Sequence, residues 1–140
     1  MVAMSKKVLV VDFEYDFQLI GISSHAKDYR LSWEINKQFK TLLKKEEDVV
    51  YSTKKGDKAK FSMYFFKDEI EERDIRLISN KSNGRYLIPE QKAADYFIIL
   101  YDYNTFDVNE MLRLLRKINT VLMAFEINVD TLKAKENLVF

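Results

Sequence analysis

Along residues 8–17, apolar and polar positions alternate: Leu9, Val11, Phe13, Tyr15 and Phe17 fall on one side of an extended chain, and Val8, Val10, Asp12, Glu14 and Asp16 on the other. A period of two predicts a strand with one buried face and one partly wet one. Gln18-Leu-Ile-Gly-Ile22 reads equally as the end of that strand or as a buried loop, and Ser23 or Ser24 then offers a helix N-cap. The period next lengthens. Leu31, Ile35, Phe39 and Leu42, spaced four, four and three, predict a helix from about residue 25 to about residue 43. Lys40, Lys44 and Lys45 complement its negative end, and Glu46-Glu-Asp48 closes it.

Beyond the helix, Val49-Val-Tyr51 predicts a short strand and Lys54-Lys-Gly-Asp-Lys58 a turn. Lys60–Phe66 predicts an aromatic strand, with Phe61, Met63 and Phe65 opposite Ser62, Tyr64 and Phe66, and Ile75–Ser79 a second strand close enough to form a hairpin with it. Asn83-Gly84 suits the positive φ angles of a tight turn. The most continuous apolar run, Tyr96-Phe-Ile-Ile-Leu-Tyr101, has no wet face at all and belongs near the middle of a sheet. Ahead of it Pro89 suits the first position of a short helical turn, with Glu90 near that turn's positive end.

Asp107-Val-Asn-Glu110 has capping-box spacing and opens a helix to about Ile118, with Val108, Met111, Leu112, Leu115 and Ile118 on its buried face. Val121–Ile127 predicts another strand. The interval from residue 96 to residue 127 is long enough for a right-handed crossover between parallel strands. Asn128-Val-Asp130 begins a turn, and Asn137–Phe140 has the make-up of a short edge strand. Residues 1–140 thus predict one α+β domain: about five mostly antiparallel strands with two helices on one face, in the order β-α-β-β-β-α-β. The two strand–helix–strand halves allow a distant ferredoxin-like duplication.

Composition narrows the function classes. A chain 47% hydrophobic and 32% charged is that of a folded domain, and only 3 glycines and 1 proline argue against long linkers. With no cysteine, disulfides, thiolate metal sites and cysteine nucleophiles are excluded. The apolar patch within residues 1–11 is too short for a signal sequence, and no stretch approaches the length of a membrane span, which sets the expectation of a cytoplasmic protein. The 23 basic and 22 acidic side chains nearly cancel, so no global field draws the chain to nucleic acid or to an anionic membrane.

Local constellations remain. Asp12, Glu14 and Asp16 share a strand face with spacing that suits a hard cation, but no fourth ligand is identifiable, and a solvated face explains them. His25, with Asp28 three residues on, is a candidate general base; a surface histidine near a helix start is the plainer reading. Glu90 and Asp95 flank one turn as an acid/base pair would, or they cap that turn with Lys92 or Arg85 nearby. Lys37, Lys40, Lys44, Lys45, Lys54, Lys55, Lys58 and Lys60, with Tyr51 and Tyr64 as stacking residues, are a candidate RNA-contacting strip, offset by Glu46, Glu47, Asp48 and Asp57. Tyr29 and Trp33 lie four residues apart and project nearly opposite the helix's apolar stripe, so either the helix is packed on both sides or the pair meets a partner.

Ile88-Pro89-Glu90, then Gln91, Lys92 and Ala93, then Ala94-Asp95-Tyr96 resembles the signature of the bacterial IPExxxVDY family, with Ala94 in place of the family's valine. Asp16–Ile22 with Asp28-Tyr-Arg-Leu31, and the stretch Lys135–Phe140, are also similar to that family, so the resemblance spans nearly the whole chain. It implies no activity, cofactor or catalytic residue. The expectation is therefore a binding or regulatory module that needs no cofactor or metal and acts through protein contacts, as a homodimer or with another protein. An RNA-associated protein using the Lys37–Lys60 region is the alternative, and an enzyme the third.

Overall fold

The computed structural model describes residues 17–52, 56–102 and 107–138. Its elements are β1 (Gln18–Ser23), α1 (Asp28–Phe39), β2 (Lys44–Lys45), β3 (Val49–Ser52), β4 (Lys58–Phe61), β5 (Met63–Asp68), β6 (Arg73–Ser79), β7 (Lys81–Ser82), β8 (Arg85–Tyr86), β9 (Tyr96–Asp102), α2 (Val108–Leu115) and β10 (Met123–Ile127). Short 3-10 turns follow at Val129–Thr131 and Lys135–Leu138.

Six described strands form the main sheet in the order β10-β1-β9-β6-β5-β2, every neighbouring pair antiparallel. β9 and β10 both run antiparallel to β1 and therefore parallel to each other, with β1 between them. By the same reasoning β1 and β6 run parallel and flank β9. Two split strand–helix–strand units thus interlock in a ferredoxin-like order, extended beyond β6 by β5 and β2. The α+β class and the two-helix layer match the expectation; the main sheet has six described strands rather than five, and two-stranded ribbons β3-β4 and β7-β8 lie outside it.

β9 explains why its sequence is apolar from Phe97 to Leu100. Tyr96, Ile98 and Leu100 face the helices, packed with Leu31 and Ile35 of α1 and with Met111, Leu112 and Leu115 of α2. Phe97 and Ile99 face the other way, packed with Phe61 of the β3-β4 ribbon, Leu87 and Ile88 ahead of β9, and Leu132 and Leu138 near the C-terminus. Both faces of the strand are covered along residues 97–100, so none of those four positions is left for a polar side chain.

α1 is shorter than its periodicity predicts. Neither Ser23 nor Ser24 caps it. Lys27 occupies the N-cap without a side-chain bond, while the Ser24 hydroxyl donates to Thr120 O at 2.6 Å and accepts from Ala26 N. At the other end Lys40 takes a left-handed conformation, φ 56°, and terminates the helix. Asn36 then gathers the returning chain: its Oδ1 accepts from Leu43 N and from the Thr41 hydroxyl, and its Nδ2 donates to Leu43 O. Leu43 is drawn into the core, and Leu42, expected on the buried stripe, turns out to solvent.

Two further expectations are corrected. The Lys60–Phe66 strand breaks at Ser62, whose carbonyl accepts from Ser79 N, so Phe61 leaves with the β3-β4 ribbon to cover the far face. Asn137–Leu138 belongs to a 3-10 turn that buries Leu138 rather than to an edge strand. α2 follows its sequence closely: the Asp107 side chain accepts from Glu110 N, and Val108, Met111, Leu112, Leu115 and Ile118 are all buried. Gly21 of β1 lies where a Cβ would come within 2.7 Å of the Phe125 ring on β10, so the missing side chain is what lets that ring cover the strand.

Candidate functional site

The signature residues come together at one end of β9, and Asn80 organises them. This residue, which follows β6, is fully buried, and its backbone and side chain make five bonds. Its N–H donates to Asp95 O and its carbonyl accepts from Leu87 N. Its Nδ2 donates to Gln91 O and Ala94 O, each at 2.9 Å, and its Oδ1 accepts from Ile88 N at 2.7 Å. One buried amide thereby holds both ends of the 88–95 turn, and the arrangement avoids the penalty of an unpaired buried polar group.

Within that turn Ile88 and Ala94 are buried, and Pro89 takes the second position of a bonded turn from Ile88 O to Gln91 N rather than starting a helical one. The side chains expected as an acid/base pair point apart and are each committed. Glu90 Oε2 accepts from the backbone N–H groups of Lys133 and Ala134. Burial pushes the Glu90 carboxyl up, but these N–H groups outweigh it and hold the group below the usual carboxylate range. Asp95 accepts from Ser24 N at 2.8 Å and pairs with Lys81 Nζ at 2.5 Å. Lys81, rather than Lys92 or Arg85, is thus its basic partner, and the bond to Asp95 raises the Lys81 pKa.

Tyr96 donates its hydroxyl to Ala26 O at 2.7 Å. Burial, with Asp28 and Asp95 nearby, pushes that phenol up to about 12. Asp95 and Tyr96 therefore pin the loop that leads into α1, while Glu90 pins the backbone that follows β10. Above them opens a shallow polar cleft of about 490 Å³ lined by Ser24, His25, Lys27, Asp28, Lys81 and Asp95. His25 is exposed at its rim, and the Asp28 carboxylate accepts from the neighbouring Tyr29 N–H. Glu90 and Asp95 do not converge on this cleft as an acid and a base.

Other predicted residues are dispersed. Asp12, Glu14 and Asp16 lie outside the described residues, as do Lys54 and Lys55. Among the described residues no group of three or more histidine, aspartate or glutamate side chains is placed to hold a metal, and no helix is long and apolar enough to cross a membrane. The RNA strip loses one of its stacking residues: Tyr64 is buried against the helices. Lys45 is paired with Asp48, and only Tyr51 of the two tyrosines is exposed.

Tyr29 and Trp33 stand out in the opposite sense. They project from the outer face of α1, 64% and 55% exposed, one helical turn apart. Arg30 and Lys37 lie 5.6 and 5.3 Å from the Trp33 ring centroid. Lys27, Lys37 and Lys40 form no ion pair among the described residues, and Arg30 makes only a 3.7 Å contact with Glu34. The helix thus shows a large aromatic surface beside three lysines that form no ion pair among the described residues.

Sequence reading missed Asn80, since a lone asparagine after a strand resembles ordinary turn material. No family model, curated protein or solved structure matches the chain.

Proposed function

We propose that this protein is a non-enzymatic binding module that presents Tyr29 and Trp33 on α1 to an acidic surface of another protein molecule. The observation that carries the reading is the exposure of both rings on a face where Lys27, Lys37 and Lys40 form no ion pair among the described residues. Trp and Tyr are the residues that most often anchor protein interfaces, and a positive rim favours a negative partner. The commitment of Glu90 and Asp95 to structural bonds supports a binding rather than a catalytic role. We further propose that the chain is a cytoplasmic member of the IPExxxVDY family and that its Ile88, Pro89, Glu90, Asp95 and Tyr96 form a structural clamp rather than an active site.

The test is capture of partners from the native cell, followed by reconstitution with the partner identified. Trp33→Ala should weaken binding by about 2 kcal/mol or more, roughly 30-fold, without moving the unfolding midpoint. Equal affinity of the variant and the wild type would refute the role of the helix.

A further inference from the structure

The hairpin tip between β5 and β6 has the complementary character of the α1 face. Ile70 stands at its apex with 90% of its surface exposed, flanked by the exposed Glu69, Glu71 and Glu72. The tip is held in shape. Asp68 Oδ1 accepts from Ile70 N at 3.2 Å and from Glu71 N at 3.0 Å, while its Oδ2 pairs with Arg73 Nε at 3.3 Å. Glu72 completes the turn in the left-handed region, φ 53°, where a side chain costs energy. Glu69, Glu71 and Glu72 make no ion pair among the described residues, as Lys27, Lys37 and Lys40 make none. An apolar knob in a negative collar and an aromatic patch in a positive one occur on the same chain.

We propose that the β5-β6 tip of one copy docks on the α1 face of a second copy, with Ile70 against Trp33 and Tyr29 and the glutamates against Lys27, Lys37 and Lys40. A symmetric contact of α1 with α1 would bring lysines against lysines, and one of tip with tip would bring glutamates against glutamates. Both are opposed by like charge. Tip on helix is therefore the self-contact that charge allows. It joins two different surfaces, so a pair of copies keeps one tip and one helix face free, and the contact propagates, either closing into a ring or running on as an open chain. This inference rests on the reading of α1 above and names the occupant of the same face.

The experiment is sedimentation of the wild type, Trp33→Ala, Ile70→Ser and an equimolar mixture of the two variants, across protein concentration at low and high salt. The wild type should assemble beyond a dimer with rising concentration, and added salt should reverse this. Each variant alone should associate at least tenfold more weakly, with an unchanged circular dichroism spectrum. The mixture should recover association but stop at a one-to-one dimer, since the intact tip of Trp33→Ala fits the intact helix of Ile70→Ser. A monomeric wild type at millimolar concentration overturns the proposal, as does a mixture no more associated than its parts. If the wild type is monomeric but a reconstituted partner binds it and not Trp33→Ala, the self-contact falls while the reading of α1 stands. If that partner binds both equally, the reading itself has failed.

Discussion

The turn at residues 88–96 and the outer face of α1 both carry residues unusual for their setting, and they resolve them in opposite ways. In the turn, Asn80, Glu90 and Asp95 find bonding partners within the same chain, down to the backbone of residues 133–134. On α1, Trp33 meets the cations of Arg30 and Lys37, and Tyr29 stands exposed beside it. A polar group that is internally satisfied stabilises the fold and has little left to offer a ligand. An aromatic ring left in water gives the fold little and remains available for association. The contrast separates what holds this molecule together from what it offers to others.

That contrast sets an order of expected effects. Ile99→Ala, directly beneath the signature turn, should be the most damaging: loss of a fully buried side chain plus the cavity left behind costs about 2–5 kcal/mol, measured by denaturant unfolding. Asn80→Ala should cost about 2–3 kcal/mol, because it strands the buried Ile88 N–H and removes the donor to the Ala94 and Gln91 carbonyls. A loss well under 1 kcal/mol would show that water replaces the amide and that the turn is not held by it.

Tyr96→Phe should cost about 1 kcal/mol at neutral pH through the lost bond to Ala26 O. It also has a pH signature. An unfolded tyrosine ionises near pH 10 and folded Tyr96 only near 12, so its neutral form favours the native state. The contribution is fully present below about pH 10 and is lost as pH rises through about 12. The stability gap between wild type and Tyr96→Phe should therefore shrink across that window, as paired denaturation curves would reveal. Smallest of all, Trp33→Ala should change stability by no more than about 0.5 kcal/mol, since the ring is more than half exposed. A loss of about 3 kcal/mol or more would return Trp33 to the core and remove the distinction between the two regions.

Legibility in the sequence followed how local each determinant is. β9 and α2 were readable because an unbroken apolar run and a capping box with its stripe carry their own instructions over a few residues. The Asn83-Gly84 turn was readable for the same reason, and both residues do adopt positive φ. α1 is shorter than its apolar stripe because Lys40 turns left-handed and the Asn36 side chain bonds the returning Thr41 and Leu43, a side-chain cap that apolar periodicity does not record. The break at Ser62 depends on a bond to Ser79, and the C-terminal turn on burying Leu138 beneath β9; both partners are distant in sequence. At the candidate site, the exposure of Tyr29 and Trp33 followed from helical geometry. The partners of Asp95 and Glu90 did not, since Ser24 and Lys133 are far along the chain.

The interlocked order of the sheet bears on how the chain is made. β1, the first described strand to leave the ribosome, lies between β9 and β10, and neither neighbour exists until residues 96–127 have been synthesised. For most of translation its apolar residues Leu19, Ile20 and Ile22 await their native pairing. Such long-range closure slows folding and leaves strand edges open to wrong partners meanwhile. A nascent chain stalled before residue 96 should thus be protease-sensitive throughout β1, and one stalled after β10 has emerged should be protected there.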